Sequence, residues 1–315
     1  MGPEEWLARR TTHHSAYDPA ELARRKEGQT VSVVLPALNE ARTVGDVVRA
    51  FVPLCESGLV DELVVVDPGS HDGSDAAARE AGARVVYEAD LLPAHGRVPG
   101  KGEAMWKSLA ATTGDLVAWV DADLVGAGPE FVYGLLGPLL TDPGVQYVKG
   151  FYDRPLAERD RLRPTGGGRV TELVARPLLN LFWPELSYVI QPLAGEQAGR
   201  RAHLESVPFA AHYGVEIGLL LDTYARWGLA GLAQVDLDRR VHRNQSVEKL
   251  GRMAFVIQHA MLRRLAAEGR ATFTDEPGRT LRQFRNVGRD YRVLTHDLPL
   301  LDRPPLRSVN HPLEP

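Results

Sequence analysis

Short apolar runs, each closed by polar turn residues, recur from Val31 to Asp123 and set the framework of the chain. The clearest is Leu-Val-Ala-Trp-Val-Asp-Ala-Asp, from Leu116 to Asp123, an apolar stretch that stops on two carboxylates one residue apart. Bounded by Thr113-Gly114-Asp115 and Gly126, it fits a central strand of a parallel sheet, buried on both faces. Val31 to Leu35, Glu62 to Val66 and Arg84 to Tyr87 read as further strands, and helical periodicity fills Thr43 to Cys55, an Ala-rich stretch before Gly82, and 103 to 112. This alternation predicts a doubly wound, mostly parallel α/β sheet. Asp18-Pro19-Ala20-Glu21 carries the start signals of a short leading helix, with Asp18 as cap, Glu21 closing a capping box and Gly28 as the stop. After Asp123 the pattern loosens. Tyr147 to Tyr152 suits a strand, 153 to 168 a mobile loop, 170 to 182 and 215 to 227 helices, Gln234 to His242 a strand, and 246 to 267 a long amphipathic helix before a tail rich in Arg and Pro.

With 315 residues and 44% apolar content, the chain has material for a large core. Lys and Arg number 37 against 41 Asp and Glu, so no overall basic footprint points to nucleic acid. Cys55 is the only cysteine, which excludes an internal disulfide and any cysteine-rich zinc site and suits a reducing compartment. The N-terminus, with Glu4, Glu5, Arg9 and Arg10, lacks the apolar region of a secretion signal, and no apolar stretch is long enough for a membrane span. A soluble, cytoplasmic protein is expected.

Open α/β sheets bind ligands beyond the carboxyl ends of their strands. Asp121 and Asp123 stand at such an end, and two hard oxygen ligands there suit Mg²⁺ or Mn²⁺ together with a diphosphate. Asp236-Leu237-Asp238 repeats the tripeptide, so only the strand-end context separates the two copies. Pro36-Ala37-Leu38-Asn39-Glu40 and Asp67-Pro68-Gly69-Ser70 end neighbouring strands, and Glu40 and Asp67 are placed to accept hydrogen bonds from a base or ribose, although Pro68 and Gly69 are also ordinary turn residues. Gly100-Lys101-Gly102 opens a helix, where backbone donors and the Lys101 ammonium would meet an anion. Gly166-Gly167-Gly168-Arg169-Val170-Thr171 makes a similar cradle for a second phosphorylated or carboxylated ligand. Arg240 and His242 fall on one face of a strand, where His242 is either a packing residue or a nitrogen ligand to the same metal and the arginines would neutralise phosphate, and Glu216 sits in an apolar helix start as either a buried structural acid or a ligand-facing one. His13, His14, His71, His95, His203 and His259 show no ligand spacing and read as structural.

A strand leading into Pro-Ala-Leu-Asn-Glu, a second ending in Asp and a third ending in Asp-x-Asp resemble the GT-A glycosyltransferases, nucleotide-sugar enzymes with a single Rossmann-like domain. Pro36-Ala-Leu-Asn-Glu40, Pro99-Gly-Lys-Gly-Glu-Ala104, Thr165-Gly-Gly-Gly-Arg-Val-Thr-Glu-Leu-Val-Ala-Arg-Pro177, Tyr213-Gly-Val-Glu-Ile-Gly218 and His242-Arg-Asn244 resemble family GT81, the glucosyl- and mannosyl-3-phosphoglycerate synthases. The resemblance implies a retaining transfer of a hexose, mannose favoured or glucose, from GDP-mannose or UDP-glucose to the 2-hydroxyl of 3-phosphoglycerate, with Mg²⁺ or Mn²⁺, by a homodimer. It implies Asp123 and His242 as metal ligands. Pro36, Leu38, Glu40, Asp67, Ser70, Lys101, Asp121, Ala122 and Arg240 would face the donor. Gly168, Arg169, Val170, Thr171 and Asn244 would hold the acceptor, which Glu216 would orient, while Asp123, Glu216 and Lys101 serve the chemistry. Residues 1–29 would be an extension, 30–150 the nucleotide-sugar core, 151–270 the acceptor region and 271–315 a tail. Two departures stand out: the family's commoner Asp-Ser-Gly-Ser and Asp-Ser-Asp are here Asp67-Pro68-Gly69-Ser70 and Asp121-Ala122-Asp123.

Three other classes compete. A sugar-phosphate nucleotidyltransferase would carry a glycine-rich nucleotide loop after the first strand, where Pro36-Ala-Leu-Asn-Glu40 stands instead. A glycosyltransferase with a lipid acceptor would want a membrane segment or a basic amphipathic face. A nucleotide-sugar sensor would not need Lys101 and Arg169 beside an intact metal site.

Overall fold

The eight-stranded sheet is buried on both sides because its central strands alternate into two separate hydrophobic clusters. In the computed structural model Val31, Val33 and Leu35 face one cluster and Val34 the other, and Leu116 and Ala118 oppose Val117 and Trp119 in the same way. The structure describes residues 1–153, 168–239, 245–298 and 300–309, and the backbone of two short paired strands, Leu156–Glu158 and Arg161–Arg163.

The sheet strands in chain order are β1 Thr11–His13, β2 Val31–Pro36, β3 Glu62–Asp67, β4 Arg84–Tyr87, β5 Leu116–Trp119, β6 Tyr147–Asp153, β7 Gln197–Arg200 and β8 Leu232–Arg239. Across the sheet they run β1-β8-β6-β7-β5-β2-β3-β4. All pairs are parallel except those of β7, which runs antiparallel to both β5 and β6. From β2 the chain steps outward to β3 and β4, then returns to the other side of β2 for β5, so the order reverses between β2 and β5. A crevice opens at such a point beyond the carboxyl ends of the strands.

The periodicity located most of these elements within a residue or two, including the helices Val44–Glu56, Lys101–Ala111, Val215–Trp227 and Val247–Ala267. Asp18 caps the Pro19–Arg25 helix by accepting from the Glu21 amide at 2.8 Å, while the Glu21 carboxylate pairs with Arg24 and Arg25. Part of the expected 153 to 168 loop is a two-strand antiparallel ladder, and the expected 170 to 182 helix begins with a π-helical turn, Thr171–Ala175, before Arg176–Phe182. Residues 240–242 of the expected Gln234 to His242 strand lie outside the described residues.

Several elements escaped the sequence pattern. Strand β7 is Gln-Ala-Gly-Arg, a poor strand former held between two neighbours, and the Glu130–Thr141 helix has buried residues on most sides and so no amphipathic signal. The first 29 residues are joined to the sheet. Trp6, fully buried, donates to the Leu232 carbonyl at 2.9 Å, and β1 pairs with β8. The tail contains a hairpin, Thr280–Val287 with Asp290–Asp297, and then returns to the core. There Arg303 pairs with the buried Glu103 through two contacts of 2.6 and 2.7 Å, and Asp302 and Asp222 enclose Arg264.

His203 is a buried histidine held neutral. Its Nδ1 accepts from the Trp227 indole at 3.2 Å, which leaves the proton on Nε2, 2.8 Å from Thr223 Oγ1. Burial, then the nearby Arg226 charge, pushes its pKa down to about 4. The unfolded chain takes up this proton near pH 6.5, so the stability tied to neutral His203 is complete above that pH and is lost as the pH falls towards 4. Urea unfolding should show a loss on the order of 2 kcal/mol between pH 7 and 4.5 from this group. His203→Gln should flatten that part of the slope; an unchanged slope would remove His203 as its source.

Candidate active site

The amino end of the Lys101–Ala111 helix is pressed against the 210–212 segment, and two glycines make that approach possible. A Cβ on Gly102 would lie 1.8 Å from the Ala210 carbonyl oxygen, and one on Gly100, at φ +135°, would lie 2.7 Å from that of Ala211. The Glu103 amide donates to the Ala211 carbonyl. Here the glycines serve close backbone packing, and the anion-facing role rests on the Lys101 side chain.

Lys101 Nζ donates to Asp121 Oδ1 at 2.5 Å and lies 3.1 Å from Glu216 Oε1. Burial opposes the charge, but Asp121, then Glu216 and Glu196, outweigh it and raise the lysine pKa well above its ordinary value. The ammonium is therefore a fixed cation. Glu216, buried at the start of the Val215–Trp227 helix, has the partner its setting requires. Gly195 completes the cluster: a Cβ there would fall 2.4 Å from Asp121 Oδ2 and 2.5 Å from Lys101 Nζ.

Asp121, Ala122 and Asp123 follow β5 into a cavity of about 820 Å³. Pro36, Leu38 and Glu40 line one side of it, and Gly168, Arg169, Val170 and Thr171 another, with Lys101 and Glu216 also in its wall. Leu38 exposes 55% of its surface, an apolar face on a polar rim. Arg169 donates to the Gln245 carbonyl at 2.8 Å, and Gly168 takes the left-handed conformation that turns the chain into the helix.

Asp67 and Ser70 do not line this cavity. Asp67 Oδ1 accepts from the amides of Gly69 and Ser70 at 2.8 and 2.7 Å, and Ser70 Oγ accepts from the Asn39 amide at 3.0 Å. Together with Glu40 N–H to Ser74 Oγ, these bonds brace the two strand-end turns against each other. Asp67 and Ser70 thus position Leu38 and Glu40. Arg240, His242 and Asn244 lie outside the described residues.

The residue pattern did not single out Gly195, Glu88, Arg97 or His212, all of which line the cavity. Arg97 donates to the Pro68 carbonyl and lies 3.9 Å from Glu88, whose pKa burial raises. Arg97, Gly195 and His212 occupy irregular segments and Glu88 a single 3-10 turn, none with a periodicity to mark it.

The donor set fits a hard divalent cation at Asp123. Lys101 already holds Asp121, so the two carboxylates, read together as metal ligands in the sequence, divide their work. Asp123 lines the cavity as an exposed carboxylate, the hard oxygen type that Mg²⁺ or Mn²⁺ prefers.

The family model of glycosyl transferase family 2 matches residues 32–192. A glucosyl-3-phosphoglycerate synthase of Mycolicibacterium smegmatis is 50% identical over 304 residues, covering 96% of this chain and 98% of that one. The glucosyl-3-phosphoglycerate synthase of Mycobacterium tuberculosis, solved with Mn²⁺, UDP and glucosyl-3-phosphoglycerate, superposes with a TM-score of 0.84 at 46% identity, over 95% of this chain and 99% of that one. Mannosyl-3-phosphoglycerate synthase of Rubrobacter xylanophilus superposes with a TM-score of 0.90 at 39% identity, over 98% and 99%. The chain belongs to glycosyl transferase family 2 and to the family of the glucosyl- and mannosyl-3-phosphoglycerate synthases.

Proposed function

We propose that this protein is a retaining hexosyltransferase that moves glucose or mannose from a nucleoside diphosphate sugar to the 2-hydroxyl of 3-phosphoglycerate. The observation that carries this reading is the charged Lys101, fixed between Asp121 and Glu216 beside Asp123. Fifty per cent identity to a glucosyl enzyme favours UDP-glucose, and the 0.90 superposition on a mannosyl enzyme supports GDP-mannose as the second reading. Residues 30–150 supply the donor side and 151–270 the acceptor cradle.

In the transfer, the bond from the anomeric carbon to the diphosphate breaks and a bond to the acceptor oxygen forms. The acceptor approaches the face the leaving group vacates, and its proton passes to the departing phosphate oxygen. Lys101 stabilises the charge that grows on the diphosphate. Glu216 is committed to Lys101 and serves to orient groups, so no protein nucleophile is required. Arg169 and Thr171 at a helix start fit the phosphate and carboxylate of the acceptor. Mg²⁺ or Mn²⁺, held by Asp123 and His242, would supply Lewis-acid neutralisation of the diphosphate.

A homodimer and a cytoplasmic setting belong to the same reading. Among the described residues no helix is long and apolar enough to cross a membrane. Among the described residues the tail hairpin forms its own two-stranded sheet, bonds to Glu248 through Gln283 and Arg285, and exposes Phe284 and Tyr291 at 71% and 73%, a surface that a second copy would cover.

Nucleoside diphosphate release should be rapid with one of UDP-glucose, GDP-glucose, GDP-mannose or UDP-mannose and should depend on 3-phosphoglycerate. Release that ignores 3-phosphoglycerate with every donor would reopen the acceptor assignment. Gly195→Ala should lower kcat/KM by about 100-fold by displacing Asp121 and Lys101 from their pairing, with a loss of Tm read alongside; equal kinetics would show that their placement is not critical. Light scattering should give a dimer mass, reduced to a monomer by Phe284→Lys with Tyr291→Lys.

A further inference from the structure

At the far edge of the sheet from β4, the parallel pairing of β1 with β8 brings His13 opposite Asp236. The residues that follow gather His13, His14 and Asp238. His13 Nε2 lies 2.8 Å from Asp238 Oδ1, His14 Nε2 lies 2.7 Å from Asp238 Oδ2, and all three ligating groups offer atoms within 4.8 Å of one another. This placement is constrained. Asp238 takes φ +65°, where β8 shifts register between Asp236 and Arg239, and its amide is tied to Asp236 Oδ1 at 3.0 Å. Aspartate tolerates this left-handed turn, and the bond to Asp236 holds it there. Gly134 admits His14 to the Glu130–Thr141 helix, since a Cβ there would lie 3.0 Å from His14 Cβ.

Both rings are also oriented from behind. His13 Nδ1 lies 2.7 Å from Ser15 Oγ, and His14 Nδ1 lies 3.1 Å from Tyr133 Oη. Hydroxyl partners of this kind set ring orientation in metal sites and accept the Nδ1 proton when Nε2 is given to the ion. We propose that His13, His14 and Asp238 form a zinc site, separate from the active-site cavity, that fastens the amino-terminal strand to β8. Two imidazoles and a carboxylate match the ligand preference of zinc, whereas Mg²⁺ and Ca²⁺ favour all-oxygen sets. Tetrahedral coordination with bonds of about 2.0 Å needs ligand atoms about 3.3 Å apart. The histidine contact to the coordinating Asp238 oxygen therefore opens by about half an ångström, and the other histidine turns from the second carboxylate oxygen towards the ion. His13 also changes tautomer: Nδ1, which now accepts from the Ser15 amide at 3.2 Å, instead donates to Ser15 Oγ. With Asp238 63% exposed, water takes the fourth position.

The test uses the full chain with Asp123→Asn, which removes the active-site carboxylate, after metal stripping with EDTA and dialysis. Titration with ZnCl₂ should show one bound ion at micromolar or lower Kd and a rise in Tm of several degrees. His14→Gln or Asp238→Asn in the same background should weaken binding at least about tenfold. Cobalt(II) added to the parent chain gives a measurement independent of whether those variants fold. It should produce the visible bands of a four-coordinate site and paramagnetically shifted signals from two imidazoles. No zinc binding below about millimolar, equal binding by folded His14→Gln and Asp238→Asn chains, or a cobalt spectrum of the hexa-aquo ion would each overturn the proposal.

Discussion

The Lys101 ammonium, held between Asp121 and Glu216, is the interaction on which the site depends. It joins the end of β5 to the starts of two helices, Lys101–Ala111 and Val215–Trp227, whose apolar side chains share one core cluster. A charge taken out of water needs close opposite charges to survive there. The approach is set by missing side chains: Gly100 and Gly102 let the lysine-bearing helix reach the 210–212 segment, and Gly195 leaves the space that Asp121 and Lys101 fill.

Several features of the cavity follow from that one contact. Asp121 is committed to the lysine, and the ammonium stands in the wall of the cavity that Asp121, Ala122 and Asp123 enter. The Pro36–Glu40 wall of the cavity is made firm independently, by the hydrogen bonds that tie the turn after β2 to the turn after β3. Near Gly195 lies a buried polar layer in which Tyr152 donates to Glu196 and Lys149 to the Ala194 carbonyl. This layer fixes the 194–197 segment and so the position of Gly195.

The carboxyl-terminal segment contributes more than its composition suggests. Arg303 satisfies Glu103, two residues after Lys101, and Asp302 shares Arg264 with Asp222 on the Val215–Trp227 helix. Both helices that deliver the site's charged groups are thus braced by residues distant in sequence. Breaking one member of such a pair would leave a buried charge uncompensated, which is costlier than the pair's net contribution to stability.

The sequence by itself determined the alternating α/β order, the strand ends at Pro36 and Asp121, and the identity of most charged groups in the cavity. Those signals are local: period-2 and period-3.6 apolar spacing, capping residues and strand-end carboxylates all act over a few residues. The run from Thr165 to Pro177 was likewise legible as a contiguous string. Only the tertiary structure decided that Asp121 belongs to Lys101 and Asp123 to the solvent side. The same holds for the roles of Asp67 and Ser70 as braces, and for Gln197–Arg200 as a central antiparallel strand. Gly195 and the His13, His14 and Asp238 cluster depend on it too. Each of these is a contact between residues far apart in the chain, where the partner's position, not the residue's own propensity, sets its role.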